Sequence, residues 1–214
     1  MNGLSEILLL LVVLADFAVL GSARLSTCIR TLAVQGLLLG LLPVTLTPGL
    51  SAHTAVLATG TVLVKAILLP WLLTWAIREA AVRREVEPLV GFIASLLLGS
   101  LAVALAFAIA VRLPLPLPAS QQELLVPVSL ATVMIGFIVL TTRRKALTQV
   151  VGYLVLENGI YLFGLTQTES VPYLLEIGVL LDVFVGVFTM GIVVFHINRE
   201  FDSLDSARLT ELTD

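Results

Sequence analysis

The sequence holds one cysteine, Cys28, among its 214 residues, so an internal disulfide is excluded. It has no CxxC pair, no Cys/His cluster and no second ligand near Cys28, and no zinc, iron–sulfur cluster or other cofactor is expected in this chain. Charge is scarce as well: 13% of residues are Asp, Glu, Lys or Arg, and the net charge is -3. Much of the acid sits in the tail "REFDSLDSARLTELTD". With no basic stripe, nucleic acid is not expected as a partner. Missing too are a Walker loop, a GxGxxG after a strand, an HExxH and a Ser/His/Asp set. The polar stretch after Asn198 is too short to build a catalytic domain. The opening "MNGLSEILLLLVVLADFAVLG" lacks a basic n-region and an A-x-A cleavage site, and it is expected to be a retained helix.

What the sequence has in abundance is apolar surface, 58% hydrophobic residues with a mean hydropathy of +1.08. That balance predicts an all-α integral membrane protein, a bundle of about seven transmembrane helices. Candidate spans run over 4–22, 27–46, 54–77, 89–111, 124–141, 147–165 and 173–195. The stretches "PVTLTPGLS" at 43–51 and "RLPLPLPAS" at 112–120 hold five of the nine prolines and are expected to break helices. Arg24, Arg30, Arg78, Arg83, Arg84, Arg143, Arg144, Lys145, Arg199 and Arg208 fall on one face, and Arg112 lies opposite. By the positive-inside rule the N-terminus is external and the C-terminus cytoplasmic. No internal repeat is visible, which argues against a free-standing transporter built from two halves.

Five ionisable residues stand inside these spans: Asp16, Lys65, Glu157, Glu176 and Asp182. Such residues are costly in hydrocarbon and normally face a bundle interior. At about 1.5 Å per residue, Glu157 is about 12 Å deep, Asp182 about 14 Å, and Lys65 and Asp16 about 16 to 18 Å. Four groups therefore share the middle of the membrane. Glu176 lies near the external end of its span, where interfacial water can reach it.

On the sixth span, Gln149, Tyr153, Glu157 and Tyr161 recur every fourth residue and form a polar stripe. On the seventh, Gly178, Asp182 and Gly186 place an acid between two small residues where another helix can approach. An acid in such a site is costly to ionise, and a nearby lysine offsets that cost, so rearranging either partner switches protonation. Glu157 and Asp182 thus meet the requirement for a proton relay, with Lys65 and Glu176 beside them. Asp16, Tyr153, Tyr161 and His196 are possible supporting residues, His196 as a cytoplasmic exit. The competing reading is structural: hydrogen-bonded neutral acids, a static ion pair for Lys65 and Asp16, packing or interfacial roles for Trp71, Trp75, Tyr153 and Tyr161, and an inert Cys28.

The runs "TTRRKALTQVVGYLVLENGIYLFGL" and "LLDVFVGVFTMGIVVFHINRE" resemble the three-helix K-type subunit of respiratory complex I and the C subunit of Mrp-type cation/proton antiporters. The matching features are the basic loop Arg143–Lys145, Gly152 and Asn158 around a buried glutamate, and Asp182 followed by Gly186. The family's glutamate stands two residues after the glycine, where this chain has Leu154; Glu157 lies three residues on, one turn along nearly the same face. With four further spans in front, the whole chain resembles the E-type membrane component of hydrogenase-4.

The resemblance implies a four-helix extension over 1–122, a K-like module over 123–198 and a cytoplasmic tail over 199–214. It also implies a membrane-arm subunit of a group 4 NiFe hydrogenase or formate hydrogenlyase-type complex in the cell inner membrane. Its expected partners are antiporter-like and other membrane-arm subunits of a hetero-oligomer, and the surrounding lipid. Such a subunit contributes acids to proton translocation and has no oxidoreductase activity alone. The alternatives are a subunit of a multisubunit cation/proton antiporter and a purely structural scaffold.

Overall fold

A computed structural model describes residues 3–46, 52–79, 89–113, 119–166, 177–178 and 180–191. The described residues form an all-α bundle. Its elements are α1 (Gly3–Gly21), α2 (Leu25–Leu46), α3 (Ala52–Thr61), a π-helical segment (Val62–Leu68), α4 (Leu69–Glu79), α5 (Phe92–Ala110), α6 (Ala119–Thr142) and α7 (Ala146–Thr166). A shorter apolar helix, α8 (Leu180–Gly191), follows. The helix α3, the π-helical segment and α4 run on without a break as one span. Counted that way, six helices are long and apolar enough to cross a membrane. The chain is a multi-pass membrane protein.

The helices end within both expected breaks, but two prolines lie inside helices. α2 continues through Pro43 to Leu46, and α6 begins at Ala119 and carries Pro127 inside it. A proline removes one backbone donor, and neighbouring helices in a bundle tolerate that loss within a span. The stretches 47–51 and 114–118, Arg83, Arg84, Glu176, His196, and the tail 199–214 with Arg199 and Arg208, lie outside the described residues.

Lipid offers no hydrophobic drive for helices to associate, so close packing through small residues takes its place. α5 buries Ser95, Gly99, Ala102, Ala106 and Ala110 and turns Leu97, Leu101 and Leu105 outward. α6 and α7 make the most extensive contact in the bundle. There Gly136 lies against the backbone of Leu156 and Gly152 against that of Leu140, with no room for a Cβ at either place. Gly152, matched above to the K-type pattern, is therefore a packing position.

The basic loop between α6 and α7 is partly structural. Arg143 is buried; its Nη2 donates to the Leu20 carbonyl at 2.8 Å, and its guanidinium lies 5.4 Å from the centre of the Phe92 ring. Burial pulls the guanidinium below its usual value, from a starting point so high that it stays charged. Arg144 remains exposed.

The apolar core is divided in two. One cluster gathers Val19, Leu32, Leu73, Ile135, Val139 and Val151, and the other gathers Leu9, Val12, Leu39, Leu42, Leu57, Leu125 and Leu162. Along each contributing helix the chain passes from one cluster to the other through a buried polar residue: Asp16 on α1, Gln35 on α2, Lys65 on the π-helical segment, Thr132 on α6, and Glu157 with Asn158 on α7. A polar layer thus lies between two apolar ones.

Candidate functional site

Lys65 is the centre of this layer. It stands in the π-helical segment, where the Leu69 N–H reaches back to the Val64 carbonyl, five residues earlier. A π-helical turn is wider than an α-turn and is often found at functional positions. α2 accommodates that width with "GLLLG", Gly36 to Gly40. A Cβ on Gly36 would stand 2.6 Å from the Lys65 carbonyl carbon, and Gly40 lies against Ala58 and Val62. Two glycines four residues apart therefore bring α2 onto the backbone that carries the lysine.

The Lys65 ammonium lies 2.7 Å from Asp182 Oδ2 and 3.5 Å from Glu157 Oε1. The three side chains are between 0% and 3% exposed. Tyr161, one turn beyond Glu157, turns its ring toward the same ammonium, 5.7 Å from the ring centre, and its hydroxyl meets Thr61 Oγ1 at 3.1 Å. Thr61 closes α3 one turn before Lys65, so the π-helical segment is bonded to α7 just ahead of the site. No donor with hydrogen-bond geometry serves either carboxylate among the described residues, and both carboxylates face the same ammonium.

The charges in this cluster do not balance. One ammonium and two carboxylates, all ionised, leave an excess negative charge in a site closed to bulk water, and a single proton shared by the two acids removes it. A lysine held between two acids can also trade partners, moving a short distance toward one as the other takes the proton.

Asp16 does not join this cluster or pair with Lys65. Its Oδ1 accepts from Gln35 Nε2 and its Oδ2 from Thr132 Oγ1, both at 2.8 Å. The Gln35 Oε1 in turn accepts from Asn158 Nδ2 at 3.1 Å. Asn158 and Lys65 both line a cavity of about 10 Å³ together with Leu32, Leu73 and Leu154. The polar layer therefore has two parts, one held by charge and one held by neutral hydrogen bonds, with Asn158 at their boundary.

The remaining positions divide. Along the stripe on α7, Tyr161 and Glu157 are buried, Tyr153 is half-buried, and Gln149 is exposed and donates to the Arg143 carbonyl at 3.1 Å. On α8 a Cβ added to Gly186 would stand 3.0 Å from the Leu72 side chain, as close approach requires, whereas just ahead of α8 nothing stands within 4 Å of a Cβ on Gly178. Leu154 is buried in the core. Trp71 is 60% exposed on the outer surface, Trp75 packs partly against the core, and Cys28 is buried there. Glu176 and His196 lie outside the described residues.

Sequence reasoning passed over Gln35, Thr132 and Thr61. For Gln35 the signal was present: an amide in the apolar run "LAVQGLLLG", beside the first of two glycines, has to find buried partners. Thr61 and Thr132 carry no such signal, because a threonine in a span satisfies itself equally well on its own helix backbone.

No family model matches the chain, and no solved structure matches it. Over 148 residues the chain is 28% identical to hydrogenase-4 component E of Escherichia coli K12 and, equally, to that of Shigella flexneri, covering 69% of this chain and 68% of each relative. Over 206 residues it is 35% identical to the uncharacterized protein Rv0085 of Mycobacterium tuberculosis, covering 94% of this chain and 92% of that one. With this identity over nearly the whole length of both, the chain belongs to the same family as the mycobacterial protein.

Proposed function

We propose that the chain is a membrane-arm subunit of a hydrogenase complex related to respiratory complex I, of the group 4 NiFe or formate hydrogenlyase type, and that it takes part in proton translocation. The similarity to hydrogenase-4 component E supports the assignment to such a complex. The observation that carries the proton-handling role is Lys65, set between two buried acids that together hold one charge too many. In this reading Glu157 and Asp182 exchange a proton, Lys65 moves between them, and Glu176 forms the external contact. Tyr161 limits the travel of the ammonium. The module 123–198 supplies the two acids, and the extension 1–122 supplies the lysine. The N-terminus faces outward and the C-terminus the cytoplasm, in the cell inner membrane. Electron transfer belongs to other subunits.

Substitutions Glu157→Gln and Asp182→Asn test the role. A tagged chain in its native host should copurify with hydrogenase subunits in mild detergent. Each substitution should then leave assembly intact while proton uptake by membrane vesicles falls by at least tenfold. Undiminished uptake with a normally assembled complex would overturn the relay. Copurification with antiporter subunits alone would overturn the hydrogenase assignment.

A further inference from the structure

Asp16 is buried completely, yet it stands apart from the ion cluster. From the helices packed on α1, Gln35 of α2 and Thr132 of α6 bond it, and the buried face of α5 carries only Ser95, Gly99 and alanines, with no titratable group. The charged groups nearest in the layer are Lys65, Glu157 and Asp182. The link to them is the pair of amides, Gln35 and Asn158. Side-chain amides do not conduct protons, because a nitrogen that donates has no lone pair free to accept one. What a chain of amides has is direction.

As the chain stands, every donor points toward Asp16: Asn158 Nδ2 to Gln35 Oε1, then Gln35 Nε2 to Asp16 Oδ1. That arrangement suits a carboxylate. A proton on Oδ1 turns this oxygen into a donor, which Gln35 Nε2 cannot accept. The Gln35 amide must then turn over, presenting its oxygen to Asp16 and its nitrogen to Asn158. Asn158 must turn in response and offer its own oxygen. The Thr132 bond to Oδ2 is untouched. With the proton on Oδ1 both directions of the amides make the same number of hydrogen bonds, and one amide turned without the other leaves buried polar groups unsatisfied, so the amide pair has two satisfied states; a proton on Oδ2 would instead be donated to the Thr132 hydroxyl and leave the amides as they are.

We propose that Asp16, Gln35 and Asn158 form a two-state hydrogen-bond switch, in which the presence or absence of a proton on Asp16 Oδ1 decides whether Asn158 turns its nitrogen or its oxygen to the Lys65 cavity. The inference rests on the reading of the Lys65 site as one that exchanges protons. With Asp16 ionised, Gln35 holds the Asn158 nitrogen and the oxygen is left for the ammonium. With Oδ1 protonated, the Asn158 nitrogen takes that place and repels the ammonium. Gln35 and Asn158 are thus positioning residues that act through Lys65.

The test uses the full-length chain, purified and reconstituted in lipid nanodiscs, with infrared difference spectra recorded across a pH series. The stretch of a protonated carboxyl that is lost in E157Q or D182N identifies the cluster. Asp16→Asn should move the midpoint of that band by about one pH unit, the size expected for one hydrogen bond lost at the ammonium when Asn158 turns. In a Gln35→Leu background the same substitution should move it by less than a third as much, since the amide link is gone. Asn158→Leu breaks the link at its other bond and should give the same loss, which keeps the test valid if Gln35→Leu fails to fold. A midpoint that Asp16→Asn leaves in place, or moves equally with and without the link, would overturn the switch while the proton-exchange reading stands. If no titrating band belongs to Glu157 or Asp182, that reading fails and the switch fails with it.

Discussion

The bundle holds buried acid in two ways, within one layer. At Asp16 each carboxylate oxygen has its own neutral donor, at 2.8 Å, from a different helix. At Glu157 and Asp182 the two acids have one ammonium between them, at 3.5 and 2.7 Å, and no hydrogen-bond donor among the described residues. The first arrangement fixes an acid by geometry, because short directional bonds tie it to α2 and α6. The second leaves geometry loose and depends on attraction between charges, which falls off slowly with distance. A group that has to change partners belongs in the second kind of site. A group that reports its state to a neighbour through defined bonds belongs in the first.

This contrast can be tested by removing one element of each site and comparing the losses. Lys65→Met deletes the positive charge that two acids share. Breaking a buried ion pair by removing one partner costs about 3–5 kcal/mol, so the variant should unfold at markedly lower temperature in detergent or fail to accumulate. A loss below about 1 kcal/mol would mean that the acids do not depend on the lysine. Gly36→Ala leaves every charge in place and pushes on the backbone that carries Lys65, where the added carbon would stand 2.6 Å from the carbonyl carbon. Overpacking of this kind costs about 1–3 kcal/mol, read from the thermal midpoint. Gly60→Ala, with nothing within 4 Å, is the control and should be neutral or slightly stabilising. Thr132→Val keeps the shape and removes one of the two donors to Asp16. It should cost about 1–2 kcal/mol, because the other bond remains. If the Thr132 variant lost as much as the Lys65 variant, the two sites would not differ in the way described.

Much of the fold was legible from hydropathy alone, because lipid imposes length and composition on each span. Counting residues from the span ends put Lys65, Glu157 and Asp182 at similar depths, and their side chains meet. Depth says nothing about rotation around each helix axis, however. Asp16 also lay at that depth, yet it faces Gln35 and Thr132. Rotation is set by close packing at glycines, and a glycine's partner cannot be read from its own helix. Prolines inside spans follow a related rule. Pro43 and Pro127 sit inside helices because the surrounding bundle supports the backbone, a property of the neighbours and not of the local sequence.

The π-helical segment has a consequence for the length of the chain. A helix with a turn of this kind contains one more residue than an α-helix of the same path, so α4 is out of step with α3 by one residue, or about 100° of rotation. Deleting a single residue between Val62 and Leu68 would let the third span close into an ordinary α-helix of nearly the same height. The span would still cross the membrane, and its hydropathy would hardly change. Yet either Lys65 or the whole of α4, with Leu69 and Leu73 in the core, would turn away from its present neighbours. In this protein the address of the lysine is stored in a residue count.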